Sequence, residues 1–282
     1  MDFSKFFQAL FYSAPGAPAW QKFVLPAILL VALVYGIFIL VRKVQGAADF
    51  VGRIFGSFKG IRTADNSALS EKQVKQIAIS SLYAYQQGGY VNVLPLKISK
   101  FRLKKILTEW WGITDRNSAL EALEGLIDEG HSALFPYVAE AAFIDKKKDR
   151  IMFLQEHMPS QEECMRALEQ SENLIDNLDS IRSNKIASNA EEIKQLGVMG
   201  WDSGRLAFVA RACCEQNLIS EEEAWHYMAK AYDMAHASFS NYEDFAKSYA
   251  LGRAVWGSDV YIMSLAKDLL EKPNSPWVQY PW

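Results

Sequence analysis

The sequence predicts an all-α protein: an N-terminal single transmembrane helix followed by a multi-helix globular domain. Three observations point there. The run from 23 to 41 is apolar and uncharged, apolar residues further on recur every three or four positions, and Ser-x-x-Glu/Gln signatures punctuate the chain after residue 69. Regularly spaced alternating strand patterns with hairpin signals are missing from the sequence. A hydrophobic content of 50% over 282 residues is ample for a packed core.

Residues 1–18 read as an N-terminal amphipathic segment. Phe3, Phe6, Phe7, Leu10 and Phe11 recur at helical spacing and place aromatics on one face, with Ser13 to Pro18 as a hinge. Residues 19–44 read as the anchor. Its core, Phe23 to Val41, has no charge between Lys22 and Arg42-Lys43, and nineteen residues at 1.5 Å each give roughly 28 Å, close to the ~30 Å hydrocarbon core. Pro26 falls in the first turn, where its missing N–H costs least. A cleaved signal peptide ending near Gly46-Ala47-Ala48 is the rival. The run exceeds a typical h-region of ~7–15 residues, and Arg42-Lys43 stand where a stop-transfer flank would have them.

Lys5 and Lys22 precede the run, whereas Arg42, Lys43, Arg53, Lys59 and Arg62 follow it. The positive-inside rule then predicts a single-pass protein of the bacterial inner membrane with its C-terminal domain in the cytoplasm. Cys164, Cys213 and Cys214 form no CxxC pair, which fits reduced thiols there.

Residues 45–69, with Gly46, Gly52, Gly56 and Gly60 among basic and aromatic side chains, suit a juxtamembrane linker. Residues 70–272 form the helical domain. Capping signatures at Ser70/Gln73, Ser160/Glu163, Ser220/Glu223 and Ser240/Glu243 mark helix starts, and apolar spacing between them predicts eight to ten helices. Pro95 makes 91–98 the one plausible extended segment, and the charged stretch Glu162 to Lys194 reads as a solvent-facing helix. Residues 273–282, a Pro/aromatic tail, either strap across the domain or present a peptide to a partner, with packing in cis favoured.

A net charge of −3 argues against nucleic acid as a partner, since no excess of Lys and Arg is available to neutralise a phosphate backbone. The sequence contains no GxSxG, P-loop, GxGxxG or HExxH, so no cofactor is expected. His226 and His236 lie too far apart to form an i, i+4 ligand pair, and Glu222 with His226 supplies one carboxylate and one imidazole, so no metal site is expected either. Cys213 and Cys214 read as packed small hydrophobes, and His131, after Gly130, reads as a helix C-terminus favoured by the dipole.

The densest block of unusual residues runs from Gly200 to Asp259. Trp201-Asp202 with Arg205, the run Ile219 to Trp225, and Tyr249 to Trp256, with Trp111-Gly112-Ile113 and Gly130-His131 upstream, resemble the uncharacterised bacterial family that includes the YbeU- and YbeR-like proteins. The resemblance covers roughly 105–260. Asn241-Tyr242 stands where that family would have Ser-Trp, and Cys214 to Asn217 where a glycine is usual. It implies a helical fold and a bacterial source, but no activity.

Asp202, at a helix start, is placed to cap backbone N–H groups or to pair with Arg205 on the next turn. Arg253 and Trp256, three apart, share a helix face. Together with Glu223 and Trp225 these make the candidate ligand or partner cluster. The leading reading is a membrane-anchored cytosolic interaction module, of accessory or immunity type, with a protein partner. The alternative is a ligand-binding domain or enzyme built on the Asp/Arg/Glu set, and burial discriminates them: an open concave site favours the alternative, an enclosed and mutually paired one opposes it.

Overall fold

The computed structural model describes residues 60–257 and 260–282, all of which belong to one compact unit. These residues form thirteen α-helices and a π-helical turn, and no strand; an isolated bridge joins Arg62 to Tyr90. In chain order the helices are α1 Glu71–Ala78, α2 Ser81–Gln86, α3 Lys100–Lys105, the π turn Ile106–Trp110, α4 Arg116–Asp128, α5 His131–Ala142, α6 Lys147–His157 and α7 Gln161–Ser183. Then follow α8 Ala190–Leu196, α9 Met199–Glu215, α10 Glu221–Ser238, α11 Tyr242–Val255, α12 Ile262–Glu271 and α13 Pro276–Gln279.

Local chemistry fixes the helix starts. Ser70 and Ser220 each close a full capping box, with Gln73 and Glu223 respectively, and the Ser160 hydroxyl accepts from Glu163 N–H. The fourth start is displaced by one residue: Asn241, not Ser240, caps α11, accepting from Asp244 N–H at 2.8 Å. Asn caps as well as Ser, and the shift stacks Tyr242 on Trp277 at 4.7 Å. The helices outnumber the expected eight to ten because several are only one or two turns long.

The core is organised around α9, where every residue from Gly200 to Cys213 is buried. It packs most extensively on α10 and α11 and also meets α2, α4 and α5. Glycines allow α9 and α11 to touch closely. A Cβ on Gly200 would sit 2.5 Å from the Phe245 carbonyl oxygen, one on Gly204 would sit 2.7 Å from the Tyr249 ring, and one on Gly252 would run into Trp201. Around this pair α7 packs on α5, α6 and α11, and α12 packs on α2 and α11. The expected extended segment 91–98 is irregular loop, held by Arg211 rather than by a partner strand.

Among the described residues no helix is long and apolar enough to cross a membrane. The longest, α7, has 23 residues and spans roughly 34 Å. It carries Glu162, Glu163, Arg166, Glu169, Glu172, Asp176, Asp179 and Arg182, and a charge at a membrane centre costs ~2.5–3.5 kcal/mol. On this finding the expected transmembrane helix and the single-pass inner-membrane location with a cytoplasmic domain are corrected to the statement that the described residues supply no membrane-crossing helix, while the expected membrane contact through 23–41 is left untested. The run 23–41 itself, residues 1–18 and most of 45–69 lie outside the described residues.

The tail folds back on the domain. Trp277 is buried and its Nε1 donates to the Ala78 carbonyl at 2.9 Å, while Trp282 donates to the Phe239 carbonyl at 3.0 Å and stacks on His236 at 4.1 Å.

Candidate functional site

Asp202 lies in the first turn of α9 and is wholly buried. Arg205 Nη2 donates to its Oδ1 at 2.6 Å, the i, i+3 pairing that the spacing allowed. The other oxygen serves a different helix. Ser132 N–H, in the first turn of α5, donates to Asp202 Oδ2 at 2.7 Å, so Asp202 caps α5 from across the core. Gly130 makes room for this, since a Cβ there would lie 2.5 Å from that oxygen. Gly130 is therefore an N-cap, and His131 opens α5 instead of closing a helix.

That correction reverses the electrostatics expected for His131. At a helix N-terminus the dipole opposes a positive ring. Burial, reinforced by Arg205 and resisted by Asp202, draws its pKa down to about 4. Gln170 Nε2 lies 3.1 Å from its Nδ1, and the half-exposed Trp256 meets the ring edge-on at 5.0 Å.

Arg205 lies between two indoles, 4.7 Å from the Trp201 ring and 5.5 Å from Trp111, and its Nε donates to the Trp201 carbonyl at 3.2 Å. The π turn contributes here by turning Trp110 outward while Trp111 faces Arg205 and donates to Tyr83 Oη at 3.4 Å. Tyr83 in turn stacks on Phe208 at 3.8 Å. Arg253, on α11, approaches the Trp201 ring to 6.0 Å and donates from Nη1 to Gln86 Oε1 at 3.4 Å. Trp201 meets Tyr249 edge-on at 5.0 Å.

The fold therefore brings together Asp202, Arg205 and Arg253, with Trp256 at the rim beyond His131. Glu223 and Trp225 are elsewhere. Glu223 is the third residue of α10 and pairs with the exposed Arg116 at 2.5 Å, which with its capping bonds pulls the carboxyl down to about 2. Trp225 donates to Glu221 at 3.1 Å and lines a cleft of about 550 Å³ with Leu94, Arg211 and Glu215. The assembled part is enclosed: Asp202 is 0% exposed, Arg205 and Arg253 7% each. By the burial criterion this opposes a substrate site there. Burial also pushes the Cys213 thiol up to about 12, away from nucleophilic chemistry. Among the described residues no group of His, Cys, Asp and Glu is placed to hold a metal ion.

The family described as "Protein of unknown function (DUF1266)" matches residues 106–282, more than half the chain. The chain belongs to the DUF1266 family. The DUF1266 match reaches the last residue and so includes the tail, which the resemblance had left outside. The chain is similar to uncharacterized protein YbeR of Escherichia coli (strain K12), 26% identical over 152 residues, and to uncharacterized protein YbeU of the same organism, 24% identical over 153. Each match covers 54% of this chain and 57% of the relative, so the chain spans little more than half the length of these curated relatives. No solved structure matches the chain.

Two features of this DUF1266 chain escaped the sequence reading. Arg211 is fully buried and donates to the carbonyls of Tyr90, Val93 and Leu94 and to Ser80 Oγ, at 2.6–3.0 Å. It lies on a helix otherwise apolar at that point, and nothing in its neighbours announces the loop it holds. The other is a basic and aromatic face on α3 and the π turn. Phe101 is 82% exposed and Trp110 52%, among the exposed Lys100, Arg102, Lys104 and Lys105. Trp110 follows the buried Leu103, Ile106 and Leu107 at helical spacing, and the π turn is what rotates it away from them.

Proposed function

We propose that this DUF1266 domain is a protein-interaction module whose docking face is the basic and aromatic surface from Lys100 to Trp110. One observation carries the reading: Phe101 is the most exposed large hydrophobic side chain among the described residues and is surrounded by cations. A Phe left in water forgoes roughly 1.5–3 kcal/mol of burial. Lys104 and Lys105 follow it at i+3 and i+4, on the same side of α3. Trp and Arg are enriched among interface hot spots, and Trp110 and Arg102 supply both; the local positive charge, on a chain of net charge −3, fits an acidic partner segment carrying an apolar anchor. Leu103, Ile106 and Leu107, buried beneath, give the face a rigid floor.

The test is selection of peptides from a random displayed library by the full chain, followed by binding measurements on the selected sequences. The expected winners are rich in Asp and Glu around an apolar residue. Phe101→Ser should weaken them by about tenfold or more, and Lys104→Glu with Lys105→Glu should weaken them and flatten the salt dependence. Selection without acidic enrichment, or unchanged affinity in folded variants, would sink the reading.

A further inference from the structure

Three donors in the cluster between α9 and α11 have no acceptor: Trp201 Nε1, Tyr249 Oη and Arg253 Nε. Their residues are 7%, 0% and 7% exposed. Most buried polar groups are hydrogen-bonded, so three unsatisfied donors in one place call for an explanation. They share one locality. Tyr249 and Arg253 stand one turn apart on α11, and both face Trp201, at 5.0 Å between rings and 6.0 Å from guanidinium to ring.

Charge points the same way. Arg205 is matched by Asp202, but Arg253 makes no ion pair with any described carboxylate, and its guanidinium donates to the neutral Gln86. The neighbouring phenols supply no negative charge, because burial pushes Tyr83 and Tyr249 up and keeps them protonated. Among the described residues two guanidiniums thus share one carboxylate, which leaves one positive charge uncompensated by them among buried side chains. Leaving such a charge unmatched is strongly unfavourable.

We propose that Trp201 Nε1, Tyr249 Oη and Arg253 Nε bind one small monovalent anion, a halide or a single carboxylate group. A monoanion balances the cluster, whereas a phosphate dianion would overshoot it. Enclosure restricts the ligand to something small. The site is independent of the docking face on α3.

The experiment uses the full chain, freed of small anions, in buffers of constant ionic strength in which sulfate is replaced stepwise by chloride, bromide or formate. The expected result is a saturable rise in melting temperature with a monovalent anion and none with sulfate. Tyr249→Phe, which removes one donor and keeps the ring, should weaken the apparent affinity by about tenfold. Response to chloride and bromide assigns a halide, and response to formate alone assigns the carboxylate of a metabolite. Crystals grown in bromide or in formate give a reading that depends on no variant: anomalous density or a formate between the three donors is expected. An ordered water there in both, a melting curve indifferent to the anion, or a Tyr249→Phe variant that folds and responds like the parent would each overturn the proposal.

Discussion

Asp202 holds together two pieces of chain seventy residues apart. It neutralises Arg205 and caps α5 through Ser132, so Asp202→Ala should remove a counter-ion and a cap at once. Breaking a buried pair from one side costs about 3–5 kcal/mol, readable as a lower urea midpoint. The Asp202→Ala/Arg205→Met double variant should lose less than the sum of the singles, because no buried charge is then stranded. His131 gives a pH dependence. Its folded pKa, about 4, lies below the ordinary 6.5, so the unfolded chain binds the proton more readily. The contribution is complete above about pH 6.5 and is lost as pH falls from there towards 4, with a slope of up to about 1.4 kcal/mol per unit. Urea titrations between pH 7 and 4.5 should show this slope, and His131→Gln should flatten it. The sequence made the Asp202–Arg205 pair legible, because helical spacing is local. The cap on α5 was not, because nothing near Gly130-His131 reveals which residue will arrive from the other side of the core. Glu223 was grouped with the cluster through its place in the same dense block of sequence, and the capping geometry of α10 takes it away.

At the scale of elements, caps and spacing located the long helices, while the short ones were hidden for identifiable reasons. Ser80 precedes α2 but caps nothing, since its hydroxyl is engaged with Ile77 and Arg211. Ser99 caps α3 without a Glu or Gln at the third position, so it carries half of the signature. The α9–α11 contact yields a paired prediction. Gly252→Ala drives a methyl into Trp201, between backbones that have little freedom to part, and should cost about 1–3 kcal/mol or more. Gly125→Ala, in α4, meets no atom within 4 Å and should gain about 0.5–1 kcal/mol. Thermal unfolding of the two variants beside the parent decides this, and equal effects would mean that the glycines are not what sets the helix separation.

Across the described residues, the fold class was legible because helical periodicity persists along them, whereas the way the C-terminal tail closes was not. The tail illustrates this. Its proline and aromatic content fitted both a strap and an outgoing peptide, and the carbonyl of Ala78 and the ring of Tyr242 fix which it is. Trp277→Ala should therefore destabilise the domain as a core substitution does, by about 3–5 kcal/mol, and raise the hydrogen exchange of α1 along with that of the tail. A variant as stable as the parent would mean that the tail contributes little to the fold.

The same arrangement bears on how the protein is made. Ser80 waits for Arg211, Tyr85 for Asp268, and Ala78 for Trp277, separations of 131, 183 and 199 residues. At about 5–20 residues per second, roughly 7–40 s pass on the ribosome between α1 and α2 and the residues that cover them. Throughout that interval the apolar faces of α1 and α2 are exposed on a nascent chain, which makes them natural clients of the chaperones that meet emerging polypeptides.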